Sequence, residues 1–425
     1  MAETPLTGNI HPGQPAPDLR EVERTGGYQA LRKALKQMAP AEVIEEVKKS
    51  DLKGRGGAGF PTGMKWASVP TGPNAPQPHY VVVNGDEMEP GTFKDRLLLE
   101  GNPHQLIEGT ILTAFAIQAE IGYIFLRWAY QKSEEVLRKA LEEAYQAGYL
   151  GRNILGSGFN FDLYLHVSAG RYMSGEETGL LNNLEGKRAI PRTKPPYPPV
   201  SGLWGKPTVV NNVETLSCVP HIIQNGAGWF KQLSRSNDGG TKIYGASGRV
   251  NRPGLWELPL GTTLGELLNE HAGGMQSGYK FRGVLPGGAS TDFLVEEHMD
   301  VQLDFTSMGP AGSRLGTGTM IVLDDKSCPV GMLHNIELFF AHESCGWCTP
   351  CREGLPWTAR VLEALEDGHG RPQDLEILEF HTRMLGPGRT FCALAPGAME
   401  PLQSGLKYFR SDFERHIQEG RCPWR

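Results

Sequence analysis

HYVVVNGDE, residues 79–87, decides the fold of this 425-residue chain. Tyr80 to Val83 are continuously apolar, too short a run for a helix and too unbroken for a strand with one wet face. The run predicts a strand buried on both faces, as in a parallel sheet covered by helices. Its surroundings agree. PHQLIEGTILTAFAIQA (103–119) has a long helical pattern, YIFLRW (123–128) is a second strand candidate, and KSEEVLRKALEEAYQAGYLG (132–151) is an amphipathic helix expected to close at Gly151. Strand alternating with helix predicts an α/β class with a largely parallel sheet.

Outward from this core the texture changes three times. Residues 1–27 are rich in Pro, Gly and Thr without periodicity and read as an N-terminal arm. YQALRKALKQMAPAEVIEEVKKSDL (28–52) opens the first domain, 28–238, with two helical segments broken at Pro40. Short β-like pieces KIYGASGRV, GLWELPLG, KFRGVLPGG and MIVLDD, with one helix at TLGELLNEHAG, mark a small mixed domain over 239–328. From Pro329 to the end, 329–425, the pattern is helical.

Composition excludes several classes. With 42 basic against 48 acidic residues the net charge is −6, and no basic stretch carries interleaved aromatics, so nucleic acid is not an expected partner. The longest apolar stretch, ILTAFAIQA, falls short of the roughly 20 residues that span a bilayer. MAETPLTGNI lacks a basic-then-apolar leader, which gives the expectation of a cytosolic chain with reduced thiols.

Those thiols carry the clearest chemistry. Cys345, Cys348 and Cys351 share the run ESCGWCTPC, and Cys392 follows in RTFCALAP. Three thiolates on one loop and a fourth from a distant segment suit the corners of a [4Fe–4S] cubane. Zinc is the rival, although four-thiolate zinc sites usually draw on two separated CxxC pairs. The helical patterns PVGMLHNIELFFAHE and GLPWTARVLEALEDG place the loop between two helices. Of the other cysteines, Cys218 lies in an apolar run and reads as a small core residue, while Cys328 and Cys422 carry no motif.

GRGGAGF contains a literal GxGxxG at Gly54, Gly56 and Gly59, but the dinucleotide fingerprint needs a strand before it, and here a helical segment precedes it. The dense glycines, with Gly57 and Gly63, still form a backbone that can approach a ring or phosphate, and Lys65 supplies a positive charge. Asp86, Glu87 and Glu89 lie just past the buried strand, at the end where open α/β sheets bind ligands. They would repel a phosphate, yet could accept hydrogen bonds from ribose, carboxamide or flavin N–H groups; the plain alternative is a solvated acidic turn. Glu176 and Glu177 beside Gly175 enter a helix whose free amides could hold an anion. Lys194 and Tyr197 sit on a proline-stiffened loop. Asn211 and Asn212 start an apolar helical run, where one is an N-cap and the other has spare amide groups for a ligand.

GRGGAGFPTGMKW, NGDEMEPGTFKDR, GEETGLLNNLEGKR, KPPYPPVSGLWGKPTVVNNVETL and ESCGWCTPCREG, in that order, closely resemble the NADH-binding flavoprotein subunit of bacterial NADH:quinone oxidoreductase, respiratory complex I. The resemblance runs from about residue 25 to 415. Diaphorase subunits of NAD-reducing hydrogenases and formate dehydrogenases share these modules and are the alternative. The resemblance implies a Rossmann-like FMN domain, a ubiquitin-like (β-grasp) middle domain and a helical bundle carrying one [4Fe–4S] cluster. It implies non-covalent FMN held by Gly54, Arg55, Gly56, Gly57, Ala58, Gly59, Lys65, Asn84, Asp86, Gly175, Asn211 and Asn212. NADH would meet Phe60, Glu87, Glu89, Glu177, Lys194 and Tyr197, with Phe60 and Tyr197 stacking on adenine, and Cys345, Cys348, Cys351 and Cys392 would ligate the cluster.

The implied activity is NADH oxidation by hydride transfer to FMN, with electrons passed singly toward quinone and coupled in the whole complex to proton translocation. Implied partners are a thioredoxin-like [2Fe–2S] subunit and a large multi-cluster iron–sulfur subunit, placing the chain peripherally on the cytoplasmic side of the inner membrane. Some positions depart from the family pattern: Val83 and Gly85 interrupt the usual CNADE, Met173, Ser174 and Gly179 the usual ICGEETA, and Ser68 replaces an aromatic of some members. Thiol chemistry beside the flavin is therefore not part of the expected mechanism.

Overall fold

The computed structural model describes residues 3–11 and 13–425, so residues 1, 2 and 12 of the expected arm lie outside the described residues. The chain forms two compact units: one takes residues up to 88, 93–243 and 257–261, and the other takes 89–92, 244–256 and 262–425.

In the first unit β1 (Tyr80–Gly85), β2 (Ile121–Leu126), β3 (Asp162–Val167) and β4 (Thr208–Asn212) form a parallel sheet in the order β3-β2-β1-β4. The unbroken apolar run of β1 is explained by its central place. Tyr80 and Val82 pack with Phe125, Val210, Leu180, Leu181 and Leu203 on one face. Val81 and Val83, fully buried, turn to the other, where helices Pro103–Ile117 and Val213–Asn225 lie against the strand. From β1 the chain steps outward through β2 to β3, then returns past β1 to β4. The winding therefore reverses between β1 and β4.

Several local expectations shift. Where the sequence reads as loop running into a helix, the structure has strand β4, because TVVNN is too short to show a period; Asn211 and Asn212 end this strand, and the helix starts at Val213. The helix expected to run to Gly151 stops at Gln146. Gly148, at φ 73°, turns the chain there, and the Tyr149 amide donates back to the Ala144 carbonyl at 2.9 Å. The arm contains a short helix, Leu19–Arg24, and is anchored where the Leu6 and Thr7 amides donate to Glu257 at 3.1 and 2.8 Å.

The second sheet comprises β5 (Thr241–Ser247), β6 (Gly254–Pro259), β7 (Phe281–Leu285) and β8 (Thr319–Asp324), in the order β6-β5-β8-β7. β5 and β8 pair in parallel at its centre, β7 runs antiparallel to β8, and a helical turn over 264–271 separates the two strand pairs. This is the mixed β-grasp arrangement. The segment from Pro329 onward is helical, with helices Pro329–Glu343, Thr349–Glu366, Pro372–Met384, Leu394–Tyr408 and Arg410–Glu419 among the described residues.

Candidate functional site

A cavity of about 690 Å³ opens in the first unit beside Asn84 of β1 and Val210, Asn211 and Asn212 of β4. It therefore lies at the carboxyl ends of the two strands between which the winding reverses, the place where open α/β sheets take ligands. Its volume is in the range of small-molecule and cofactor sites.

One wall is the glycine loop. Gly54, Gly56, Ala58, Gly59 and Phe60 line the cavity. The loop follows helix Pro40–Lys49 and precedes helix Thr62–Ala67, so it is not the strand–turn–helix fingerprint, as its sequence context indicated. Gly57 at φ 124° and Gly59 at φ 67° adopt backbone that side chains resist, and a Cβ on Gly56 would stand 3.2 Å from Asn212 Cβ. Arg55 holds the loop from below. Its guanidinium is fully buried and donates to the carbonyls of Lys53, Gly239 and Thr241 at 3.2, 2.9 and 3.0 Å, and its amide donates to Thr215 Oγ1 at 2.8 Å. Arg55 and Gly57 thus shape the wall without being among the lining residues.

The opposite wall carries charge. Lys65 Nζ donates to Glu177 Oε2 and to the Val210 carbonyl, both at 3.1 Å, and Lys194 Nζ reaches Glu176 at 2.8 Å and Glu177 at 3.2 Å. Burial alone would raise the Glu177 carboxyl, but Lys65 and Lys194 outweigh it and hold the pKa below its ordinary value. The helix amides expected to be free are taken by Glu176, whose carboxylate accepts from the Thr178 and Gly179 amides at 2.9 Å each. Those amides form a self-cap, not an anion site. Phe60 and Tyr197, 55 and 57 % exposed, present open aromatic faces at the cavity.

The amide groups are fixed by the scaffold. Asn84 Nδ2 donates to the Gly175 carbonyl at 2.9 Å, which ties β1 to the Gly175 turn. Asn211 Oδ1 accepts from Trp66 Nε1 at 2.9 Å. Asn212 is the N-cap of helix Val213–Asn225.

Asp86, Glu87 and Glu89 stand elsewhere. Asp86 and Glu87 are buried, which replaces the solvated-turn reading, and neither is among the cavity's lining residues. Ser168 Oγ donates to Asp86 at 3.2 Å, while Glu87 accepts from the Asp95 amide at 2.9 Å and from Tyr130 at 2.9 Å. Burial, reinforced by the Asp95 charge, pushes the Glu87 carboxyl up to about 7. Glu89 belongs to the second unit and accepts from the Ser290 amide at 2.6 Å.

Sequence reading passes over a buried charge chain behind β4. Glu214 lies 2.7 Å from Lys94 and 3.1 Å from Lys242, and Lys94 also contacts Asp95 at 2.7 Å. Although burial opposes it, the Lys242 and Lys94 ammonium groups hold Glu214 down at about 2. The one hint is charge inside otherwise apolar segments, a pattern that solvated faces share.

In the second unit the cysteine loop joins helices Pro329–Glu343 and Thr349–Glu366, as its flanks indicated. Gly346, at φ 73°, makes the turn, Cys348 is the N-cap of the second helix, and Cys351 lies in its first turn. None of the four cysteines forms a disulfide. Burial pushes the Cys351 thiol up to about 12, and the neighbouring Cys348, Cys392 and Cys345 act in the same direction. Thiols that oppose one another's ionisation at short range are relieved by cationic metal, so the donor set suits an iron–sulfur group. The cavity likewise suits a phosphate-bearing ring cofactor: glycine backbone, a lysine and fixed amides face it, and its carboxylates are already engaged by lysines or helix amides.

Residues 47–221 match the family described as the Nuo51 FMN-binding domain, 245–293 the SLBB domain, and 331–416 the NADH-ubiquinone oxidoreductase-F iron-sulfur binding region. The F-subunit of NADH-quinone oxidoreductase from Escherichia coli (strain K12) is 54 % identical over 98 % of this chain and 93 % of its own length. Its counterpart from Mycobacterium tuberculosis is 48 % identical over 95 % of this chain and 90 % of its own. Among solved structures, a chain of an NAD+-reducing [NiFe]-hydrogenase in the H2-reduced state matches with a TM-score of 0.82 and 34 % identity, over 96 % of this chain and 67 % of that one.

Proposed function

The chain belongs to the F-subunit family of NADH-quinone oxidoreductase, and on that premise we propose that the cavity of its first unit binds FMN and receives NADH at its mouth. The chain is the flavoprotein subunit of an NADH:quinone oxidoreductase, an NADH dehydrogenase carrying FMN and a [4Fe–4S] cluster. The observation that carries the site assignment is the meeting of a glycine wall, Lys65, Asn84, Asn211 and exposed Phe60 and Tyr197 at the point where the winding reverses.

When bound, FMN supplies hydride acceptance and one-electron release, and the iron–sulfur group supplies single-electron transfer. The residues supply position and field. Gly54 to Gly59 let the backbone approach a ring closely, and Gly175 leaves room at the opposite side. Lys65 offers positive charge, and Asn84, Asn211 and Asn212 provide amide edges whose directions are already fixed. Arg55, Gly57 and Asp86 support this wall from the adjoining backbone. Phe60 and Tyr197 stack on the adenine of NADH, while Glu177 and Lys194 orient its polar groups. Glu87 positions the strand-end turn through Asp95 and Tyr130. Cys345, Cys348, Cys351 and Cys392 hold the cluster. Hydride transfer needs orientation more than a proton relay, which agrees with a cavity wall whose described lining residues include no histidine.

The chain works as one subunit of a larger complex, and no described helix is long and apolar enough to cross a membrane. We assign it a thioredoxin-like [2Fe–2S] subunit and a large multi-cluster iron–sulfur subunit as neighbours, on the cytoplasmic side of the bacterial inner membrane. The second reading, a diaphorase serving a hydrogenase or formate dehydrogenase, is favoured by the hydrogenase likeness at 34 % identity and outweighed by NADH-quinone oxidoreductase relatives at 54 %. Deleting the chain in its own cell decides between them. Loss of NADH-dependent quinone reduction in membranes supports the respiratory assignment; intact quinone reduction with lost H2- or formate-dependent NAD+ reduction supports the diaphorase.

A further inference from the structure

Cys328 and Cys422, which carry no sequence motif, meet Glu366 and His416 in the second unit. Their four ligand atoms all lie within 4.8 Å of one another. Cys328 Sγ stands 2.9 Å from Glu366 Oε1 and 3.4 Å from His416 Nε2, and Nε2 is 3.0 Å from the same carboxylate oxygen. Glu366, His416 and Cys422 are buried, and Cys328 is half-buried.

The chemistry at the centre asks for a cation. His416 Nδ1 is 2.7 Å from the Asp412 carbonyl, an acceptor only, so Nδ1 carries a proton and Nε2 is the ring nitrogen that faces the centre. It meets a carboxylate oxygen and two sulfurs. A proton can bridge two of these atoms; a metal ion can satisfy all four. We propose that Cys328, Glu366, His416 and Cys422 form a structural zinc site, separate from the four cluster cysteines.

Geometry and charge agree. Zinc bonds of about 2.0 to 2.3 Å place tetrahedral ligand atoms roughly 3.3 to 3.8 Å apart, so contacts of 2.9 to 3.0 Å open and any pair nearer 4.8 Å closes by small side-chain rotations. Two thiolates and a carboxylate bring three negative charges against two on the ion. The remaining charge is offset by Arg425, whose guanidinium lies 3.1 Å from Glu366 Oε2 and leaves Oε1 as the single ligating oxygen. The outer partners are those that metal ligands commonly have: the Gly331 amide donates to Cys328 Sγ at 3.2 Å at the start of helix Pro329–Glu343, and Asp412 fixes the imidazole. Four protein ligands leave no open position. The site is a staple that ties the segment after helix Arg410–Glu419 to the helix ends at Cys328 and Glu366, with Trp424 stacked on His416 at 5.8 Å.

The test is metal analysis of the full-length, cluster-loaded chain after a chelator wash. About one zinc per chain is expected beside the cluster iron, falling to none in C328S/C422S with the cluster EPR signal retained. C348S should lose cluster iron and keep the zinc. Growth on cobalt gives a second readout that requires only the wild-type and H416Q: a four-coordinate cobalt spectrum with thiolate charge transfer, altered in H416Q. Wild-type chain that takes up neither zinc nor cobalt would overturn the proposal and leave a proton-bridged network. Zinc unchanged in C328S/C422S would place the ion elsewhere and overturn it equally. Should the double variant not fold, the cobalt spectrum of the wild type decides alone, absence of thiolate charge transfer being the contrary result.

Discussion

Asn212 donates from Nδ2 to Asp95 Oδ2 at 2.6 Å, and so joins the rim of the cavity to the buried charge chain behind it. The same side chain accepts from the Glu214 and Thr215 amides at 2.9 and 3.4 Å, capping the helix that carries Glu214. Ligand edge, helix cap and ion network therefore share one residue.

Asn212→Ala should lose about 1 kcal/mol of stability from the missing cap and lower flavin content. Asn212→Asp keeps a capping oxygen but sets a carboxylate against Asp95. It should melt below wild type and lose flavin. Thermal melts and bound-flavin absorbance check this; an Asn212→Asp variant as stable as wild type would mean that the Asp95 contact carries no weight in solution.

Phe60 is more than half exposed on the cavity wall. Phe60→Ala removes a stacking face worth about 0.5–1.5 kcal/mol, so the KM for NADH should rise roughly 2- to 13-fold with kcat little changed. Phe60→Trp should restore the affinity. Steady-state kinetics with a dye acceptor measures it, and a fall in kcat at unchanged KM would place Phe60 outside the NADH site.

Glu214 sits at about 2 in the fold, below its ordinary value near 4.3. A depressed carboxyl contributes stability above its unfolded pKa, and that contribution is lost as pH falls from about 4.3 toward 2, of order 3 kcal/mol in all. Glu214→Gln should cost about 3–5 kcal/mol near neutral pH by stranding Lys242 and leaving Lys94 with Asp95 alone, and should flatten the acid limb of the stability curve. Denaturant melts from pH 3 to 7 test both; an acid limb of the same slope in the variant would dismiss Glu214 as its source.

Cys348→Ala removes the ligand proposed at the N-cap of helix Thr349–Glu366 and should abolish the cluster EPR signal while NADH-driven dye reduction persists. If flavin binding disappears as well, the cluster region has a structural role beyond electron transfer.

The parts legible in the sequence are those with a strong local signal. Tyr80 to Val83 announce a doubly buried strand because burial on both faces needs an unbroken apolar run. The loop of Cys345, Cys348 and Cys351 between two helices is legible because apolar residues at helical spacing flank it on both sides. β4 is hidden because TVVNN is too short to display a period, so Asn211 and Asn212 look like a helix start. Glu176 looks like a neighbour of free amides, whereas its own carboxylate reaches back to fill them. Cys328 and Glu366 lie far in the chain from each other and from the neighbouring His416 and Cys422, and only folding brings the four together.

That this chain carries a cubane cluster and an FMN that NADH reduces is tested most directly by anaerobic purification followed by visible absorption and EPR, before and after NADH. About one FMN per chain should be present and bleach on NADH addition, and a reduced [4Fe–4S] signal should appear with NADH or with a lower-potential donor. A colourless protein with zinc at Cys345, Cys348, Cys351 and Cys392, and no flavin, would contradict it.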